Sequence, residues 1–154
     1  MMRRAFTLIE VMIVVLVIGI IAAVVMPQFS SAKEDAQSGA LQGVLGSTRA
    51  AIAAYRTNAV ISGASPFPTA TQLTTRGTVL QQDLPPNPYS NLSTVQTVTA
   101  SDASSRRVLN PTQYGWNYYV DNSSSPPTAI FYANSSATTN VARPGGGFKT
   151  ANEL

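Results

Sequence analysis

The chain has 154 residues, a formal net charge of +3, and neither cysteine nor histidine. Without those two residue types it can build no disulfide framework, no thiolate or imidazole metal site and no Ser-His or Cys-His catalytic pair. Charged residues are only 11% of the total against 44% hydrophobic, so any chemistry is left to carboxylates, Lys or Tyr, and there is no dense basic footprint for nucleic acid.

The hydrophobic residues are concentrated before Pro27. From Val11 to Met26 there is no charged or polar side chain, and Phe6, Leu8 and Ile9 extend the run. A helix that is apolar all round belongs in a core or a membrane. The span from Phe6 to Met26 approaches the roughly 20 residues that cross a bilayer. Arg3 and Arg4 would stay on the cytoplasmic side and place everything after Pro27 outside. Loss of residues 1–5 would lower Lys+Arg from 10 to 8 against 7 Asp+Glu, a mature balance near neutrality. Three readings fit the segment: a cleaved secretory signal ending at small residues such as Ala22 and Ala23, a permanent single-span anchor, or a leader cut ahead of an apolar helix that is retained. Glu10 separates them. A carboxylate in hydrocarbon costs about 2.5–3.5 kcal/mol on insertion scales, and a signal or a plain anchor gains nothing from one at this position.

The stretch RRAFTLIEVMIVVLVIGIIAAVVMPQF resembles the N-terminus of type IV pilins and of the pseudopilins of type II secretion systems. The resemblance implies cleavage between Ala5 and Phe6 by a prepilin peptidase, N-methylation of Phe6, and a role for Glu10 in subunit assembly through the free amine of a neighbouring copy. Such pairing recovers part of the desolvation cost of a buried carboxylate. Gly19 and Pro27 fall where the family commonly has a Gly and a Pro in this helix, and Pro27 predicts a kink or an unwound turn. The family usually ends its leader in Gly, and here the residue is Ala5.

Beyond the apolar part, Phe29, Ala32, Ala36, Ala40/Leu41, Val44/Leu45, Thr48, Ile52 and Tyr55 recur at steps of three and four, the stripe of an amphipathic helix. Gly39, Gly43 and Gly46 suggest close backbone approach to the sheet or to another subunit, the alternative being drift in a helix held by its other side. Residues 58–82 read as loop with a short helix near Thr69–Leu73. The segment DLPPNPYSN is extended, with a turn at Asn87-Pro88. STVQTVTA reads as a strand over Ser93–Ala100, and QYGWNYYV and TAIFYAN as two more, joined by a long hairpin loop. Trp116, Tyr118 and Val120 would share one face and Tyr119 the other. Residues 135–154 read as a mobile, solvated tail. The predicted organisation is therefore a leader at 1–5, an apolar helix at 6–28, an amphipathic helix at 29–57, a globular region at 58–134 and a tail at 135–154. The fold class is α+β, a long helix laid on a small antiparallel sheet, which is the pilin-like arrangement the resemblance implies.

The run from Leu84 to Asn134 is similar to the globular part of the major pseudopilin of type II secretion. Relatives of that kind often bind calcium through carboxylates and carbonyls. Here Asn87 stands where an Asp is common, and beyond Asp121 the only acid is Glu153, whereas calcium takes six to eight oxygens. No cofactor and no metal site is expected. The function implied is a structural subunit, not an enzyme. It would form a helical homo-oligomeric filament from the bacterial inner membrane, with its C-terminal region outside the cytoplasm. Prepilin peptidase, an inner-membrane assembly platform and minor pseudopilins are the implied partners. The alternative is a DNA-capturing or adhesive type IV pilin of a competence or attachment machine, in which Arg106, Arg107 and Arg143 would touch phosphate. A third reading, a membrane-anchored enzyme, would have to use Tyr89, Tyr114, Tyr118, Tyr119 or Tyr132. These suit strand packing better, and no paired carboxylates accompany them.

Overall fold

In the computed structural model the described residues are 6–154, with the side chain of Pro27 excepted. The chain divides after Asp35 into two units, and one helix, α1 (Leu8–Ser62), contributes to both. Helical assignment is unbroken through Gly19 and Pro27, so the unwound turn allowed for at Pro27 is not present. The helix also outlasts its predicted end near residue 57. Its stop is Gly63 at φ 68°, whose N–H reaches Val60 O while the Ala64 N–H reaches Ala59 O. This pair of bonds closes a helix on a left-handed glycine, a signal that sits eight residues beyond Tyr55, the last member of the apolar stripe.

In the unit from Ala36 onward, α1 buries Ser38, Leu41, Leu45, Thr48, Ile52 and Ala59, with Tyr55 half-buried. The stripe read from the sequence is therefore correct from Leu41 to Tyr55. Its first members, Phe29, Ala32 and Ala36, are exposed. Gly39, Gly43 and Gly46 lie on the open side, where an added Cβ would meet nothing within 4 Å. Close approach of the sheet is not their reason.

Helix α2 (Ala70–Thr74) starts on a reciprocal cap between Thr69 and Gln72. Strand β1 (Val95–Thr97) is shorter than expected and gives way to α3 (Ala100–Ser104), capped by Thr99. That helix makes the connection to β2 (Trp116–Asp121) a crossover, so β1 and β2 are parallel and the sheet is mixed. The pairing of β2 with β3 (Thr128–Ala133) is the expected antiparallel hairpin, Trp116 opposite Ala133 and Asp121 opposite Thr128. The predicted tail is instead structured. It carries β4 (Thr138–Ala142), β5 (Phe148–Thr150) and a 3-10 turn, η1 (Ala151–Glu153), with β4 and β5 antiparallel. Ser38 donates to the Asn140 side chain and Arg49 to Leu154 O, which ties this segment to α1.

Two clusters fill the core, one on each face of the three-stranded sheet. Leu41, Leu45 and Ile52 of α1 pack with Trp116, Tyr118 and Phe131, and the Trp116 and Phe131 rings stack 5.2 Å apart. Val98, Ala103 and Tyr132 form the second cluster, with Tyr119 against it. Both faces being covered, β2 also buries Asn117, which donates to Asn134 Oδ1 at 3.0 Å and accepts from Gln96 at 2.6 Å. Buried amides of this kind must be paired to be tolerated. Asn87 belongs to the same class: its amide donates to Gly115 O at 2.8 Å and its Oδ1 accepts from the Tyr89 N–H at 3.0 Å. Gly115 has no room for a side chain, because a Cβ would fall 1.8 Å from Leu92 O.

Candidate assembly site at the N-terminal helix

In the unit ending at Asp35, the first turn of α1 is built by Thr7. Its carbonyl accepts the first helical bond, from the Val11 N–H at 3.3 Å. Its hydroxyl oxygen accepts from the Glu10 N–H at 3.2 Å, and Glu10 Oε2 accepts from the Thr7 N–H at 3.1 Å and the Thr7 hydroxyl at 3.2 Å. This is a capping box: a Thr and a Glu three residues apart satisfy each other's orphan donors, and the carboxylate sits at the positive end of the helix dipole. Glu10 therefore has a partner in its own chain. The T-x-x-E spacing of Thr7 and Glu10 is the sequence signal for it, one that the hydropathy of the run does not carry.

Beyond the cap the helix surface is bare. Phe6 is 84% exposed and Phe29 71%. Among the described residues, seventeen of the twenty exposed large hydrophobic side chains lie from Phe6 to Phe29. At about 1.5–3 kcal/mol for each such side chain, leaving them in water forfeits tens of kcal/mol, so this surface needs lipid or protein around it. Helix α1 is long and apolar enough to cross a membrane. Phe6, Glu10, Val11 and Val14 line a shallow groove at its start, which puts one carboxylate on the edge of an apolar surface. Gly19 is exposed with open space around it. Ala5, the residue before the expected cut, lies outside the described residues.

The arginines, Tyr118 and Tyr132 behind the rival readings are otherwise engaged. Arg107 pairs with Asp102 at 3.4 Å and Arg143 with Glu153. Arg106 lies over the Tyr132 ring, 5.4 Å from its centroid. The adjacent arginines thus do not form one basic stripe. Tyr118 donates to Pro68 O at 2.8 Å and Tyr132 to Arg107 O at 2.9 Å. Burial raises the pKa of both phenols, with the Asp102 charge adding to the effect at Tyr132 and Tyr55 at Tyr118, which suits neutral packing groups. Asp121 accepts from the Ser123 N–H and hydroxyl and from the Ser124 N–H. The Ser123 bonds chiefly hold its carboxyl below the usual range. Among the described residues, no three Asp or Glu side chains gather as a metal site would require.

Residues 1–26 match the family model for the prokaryotic N-terminal methylation motif. No curated protein and no solved structure matches the chain. The match covers the leader, Phe6, the Thr7–Glu10 cap and the apolar run, and it supports a type IV pilin-like subunit anchored by an apolar N-terminal helix.

Proposed function

We propose that this chain is a structural subunit, a pseudopilin, of a type II secretion pseudopilus or a type IV pilus-like filament. It is not an enzyme. The observation that carries the reading is the methylation motif over residues 1–26, joined to a helix whose apolar surface stays uncovered from Phe6 to Met26. A prepilin peptidase removes residues 1–5, Phe6 is N-methylated, and the subunit waits in the inner membrane with its C-terminal region outside the cytoplasm. Assembly moves the helix from lipid into a bundle of its copies on an inner-membrane platform, with minor pseudopilins as further partners. Burial of the same side chains is kept throughout, so the transfer has little hydrophobic cost. The Glu10 carboxylate, held at the groove edge by Thr7, meets the methylated amine of the next copy and sets the register. Gly19 and Pro27, continuous with the helix here, are the positions where it would bend on packing. Calcium and other cofactors have no part in this scheme. Asn87, in the place where relatives of this kind often carry an acid, uses its amide to brace Gly115 and Tyr89.

Intact-mass measurement of protein purified from membranes tests the reading. A chain starting at methylated Phe6 is the expected result. A start at Met1, or after Ala23, removes the basis for filament assembly.

A further inference from the structure

Three arginines meet at a cleft far from the methylation motif in sequence. Arg49 and Arg56 are two helical turns apart on α1, Arg106 follows α3, and the walls between them include Ile52, Phe67, Ile130 and Phe131. The cleft holds about 250 Å³, and no Asp or Glu of the described residues lines it. Each guanidinium is placed by a different device. Arg49 donates through Nε and Nη2 to Phe131 O at 3.2 and 2.9 Å, and through Nη1 to Leu154 O at 2.8 Å. That leaves two of its five N–H groups for another acceptor. Arg56 is exposed and lies over the Phe67 ring, 5.0 Å from its centroid. Arg106 adopts φ 52°, a left-handed conformation in which Gly or Asn normally ends a helix. Its N–H reaches Ala103 O at 3.2 Å and the Arg107 N–H reaches Asp102 O at 2.9 Å, so Arg106 closes α3 as Gly63 closes α1, and this cap fixes where its side chain leaves the backbone.

We propose that this cleft binds a carboxylate carried on an apolar body, either a small free acid or the C-terminal carboxylate of a polypeptide. Like charges gathered on low-dielectric walls are unfavourable unless an anion joins them. Two features reflect this crowding of charge. Burial and the neighbouring Arg106 charge lower the pKa of Arg49, and Nη1 of Arg106 is buried with no hydrogen-bond partner. Arg49 already donates to Leu154 O, so a carboxylate in the cleft would supply a countercharge chiefly to Arg56 and Arg106, and its planar pair of oxygens suits the fork of a guanidinium. The aromatic and aliphatic walls are of no use to a bare inorganic anion but would cover an attached ring or side chain. A bound ligand would also join the Ala36–Ser62 part of α1 to β3 and to the loop after α3, and so stabilise the unit from Ala36 onward.

The test is calorimetric titration of the full chain in detergent micelles with benzoate, with N-acetyl-leucyl-leucine, and with benzamide as the uncharged isostere of benzoate. Saturable binding of benzoate, the dipeptide or both, with benzamide at least about tenfold weaker, is expected. Whichever acid binds more tightly identifies the source. Arg106→Gly removes a cation while easing the left-handed backbone, so it should stay folded and weaken binding about tenfold. Arg56→Gln, on an exposed position, should weaken it about threefold without altering the melting temperature of the unliganded protein. No saturable binding of either acid, equal binding of benzamide, or unchanged affinity in folded Arg106→Gly and Arg56→Gln would each overturn the proposal.

Discussion

Glu10 serves two purposes that a single substitution can confuse. Its carboxylate closes the capping box with Thr7, and the proposed filament asks the same group to face the amine of a neighbour. Gln at this position keeps the cap, because its amide oxygen can still accept from the Thr7 N–H, but it carries no charge. Ala removes both functions and weakens the first turn by about 0.3–1.5 kcal/mol. Both variants should insert into the membrane, since a neutral side chain is easier to place in hydrocarbon than a carboxylate. Filament yield, compared between sheared and membrane fractions, should collapse for Glu10→Gln as fully as for Glu10→Ala. Normal filaments from Glu10→Gln alone would leave Glu10 as a helix cap and end the pairing argument.

At the scale of elements, α1 is one continuous helix with two unlike surfaces. Up to Met26 its large side chains are exposed, and from Ser38 it fills the core with Leu41, Leu45 and Ile52. A chain beginning near Ser30 should therefore be soluble, monomeric by size-exclusion chromatography and cooperative in thermal unfolding. One beginning near Ala59 loses all three core residues. Truncating a single such residue to Ala costs about 2–5 kcal/mol, against a whole-domain stability of about 5–15 kcal/mol, so the shorter chain should be unfolded by circular dichroism. Equal folding of the two would show that α1 is not part of the core. The strands from Thr138 to Thr150 depend on the same helix. They contain few large apolar residues, and Ser38 and Arg49 hold their segment to α1.

For the whole molecule, the absence of His and Cys leaves no side chain with an ordinary pKa between about 5 and 8. The groups with clear shifts sit at the two ends of the scale. Asp121 and Glu153 have lowered pKa values, Asp121 through its Ser123 bonds and Glu153 first through Thr150 and then Arg143. A depressed folded pKa gives stability that is present above the unfolded value, about 4, and lost as pH falls through the folded one. Tyr118 and Tyr132 are raised by burial, so their contribution is present below the unfolded value, about 10, and lost as pH rises through the folded one. Melting temperature should be flat from about pH 5 to 9 and fall on both sides. A transition near pH 7 would contradict this. The same scarcity of titratable groups suits the proposed subunit, which would pack against lipid and against its own copies.

The sequence by itself determined what depends on neighbours along the chain. The apolar run, the methylation motif, the stripe from Leu41 to Tyr55, the short helix after Thr69 and the β2–β3 hairpin all rest on periodicity or on local caps and turns. The Thr7–Glu10 box was equally legible by spacing. Tertiary structure decided the rest. β1 became parallel to β2 because α3 intervenes as a crossover, which no pattern within Ser93–Ala100 records. Gly39, Gly43 and Gly46 were left on the open face because the sheet took the side marked by Leu41 and Leu45. Residues 135–154 form strands through Ser38, Asn140 and Arg49, contacts more than a hundred positions apart in sequence. The arginine cleft belongs here too: Arg49 and Arg56 share a face of α1 by their spacing, but only tertiary packing brings Arg106, after α3, to the same cleft.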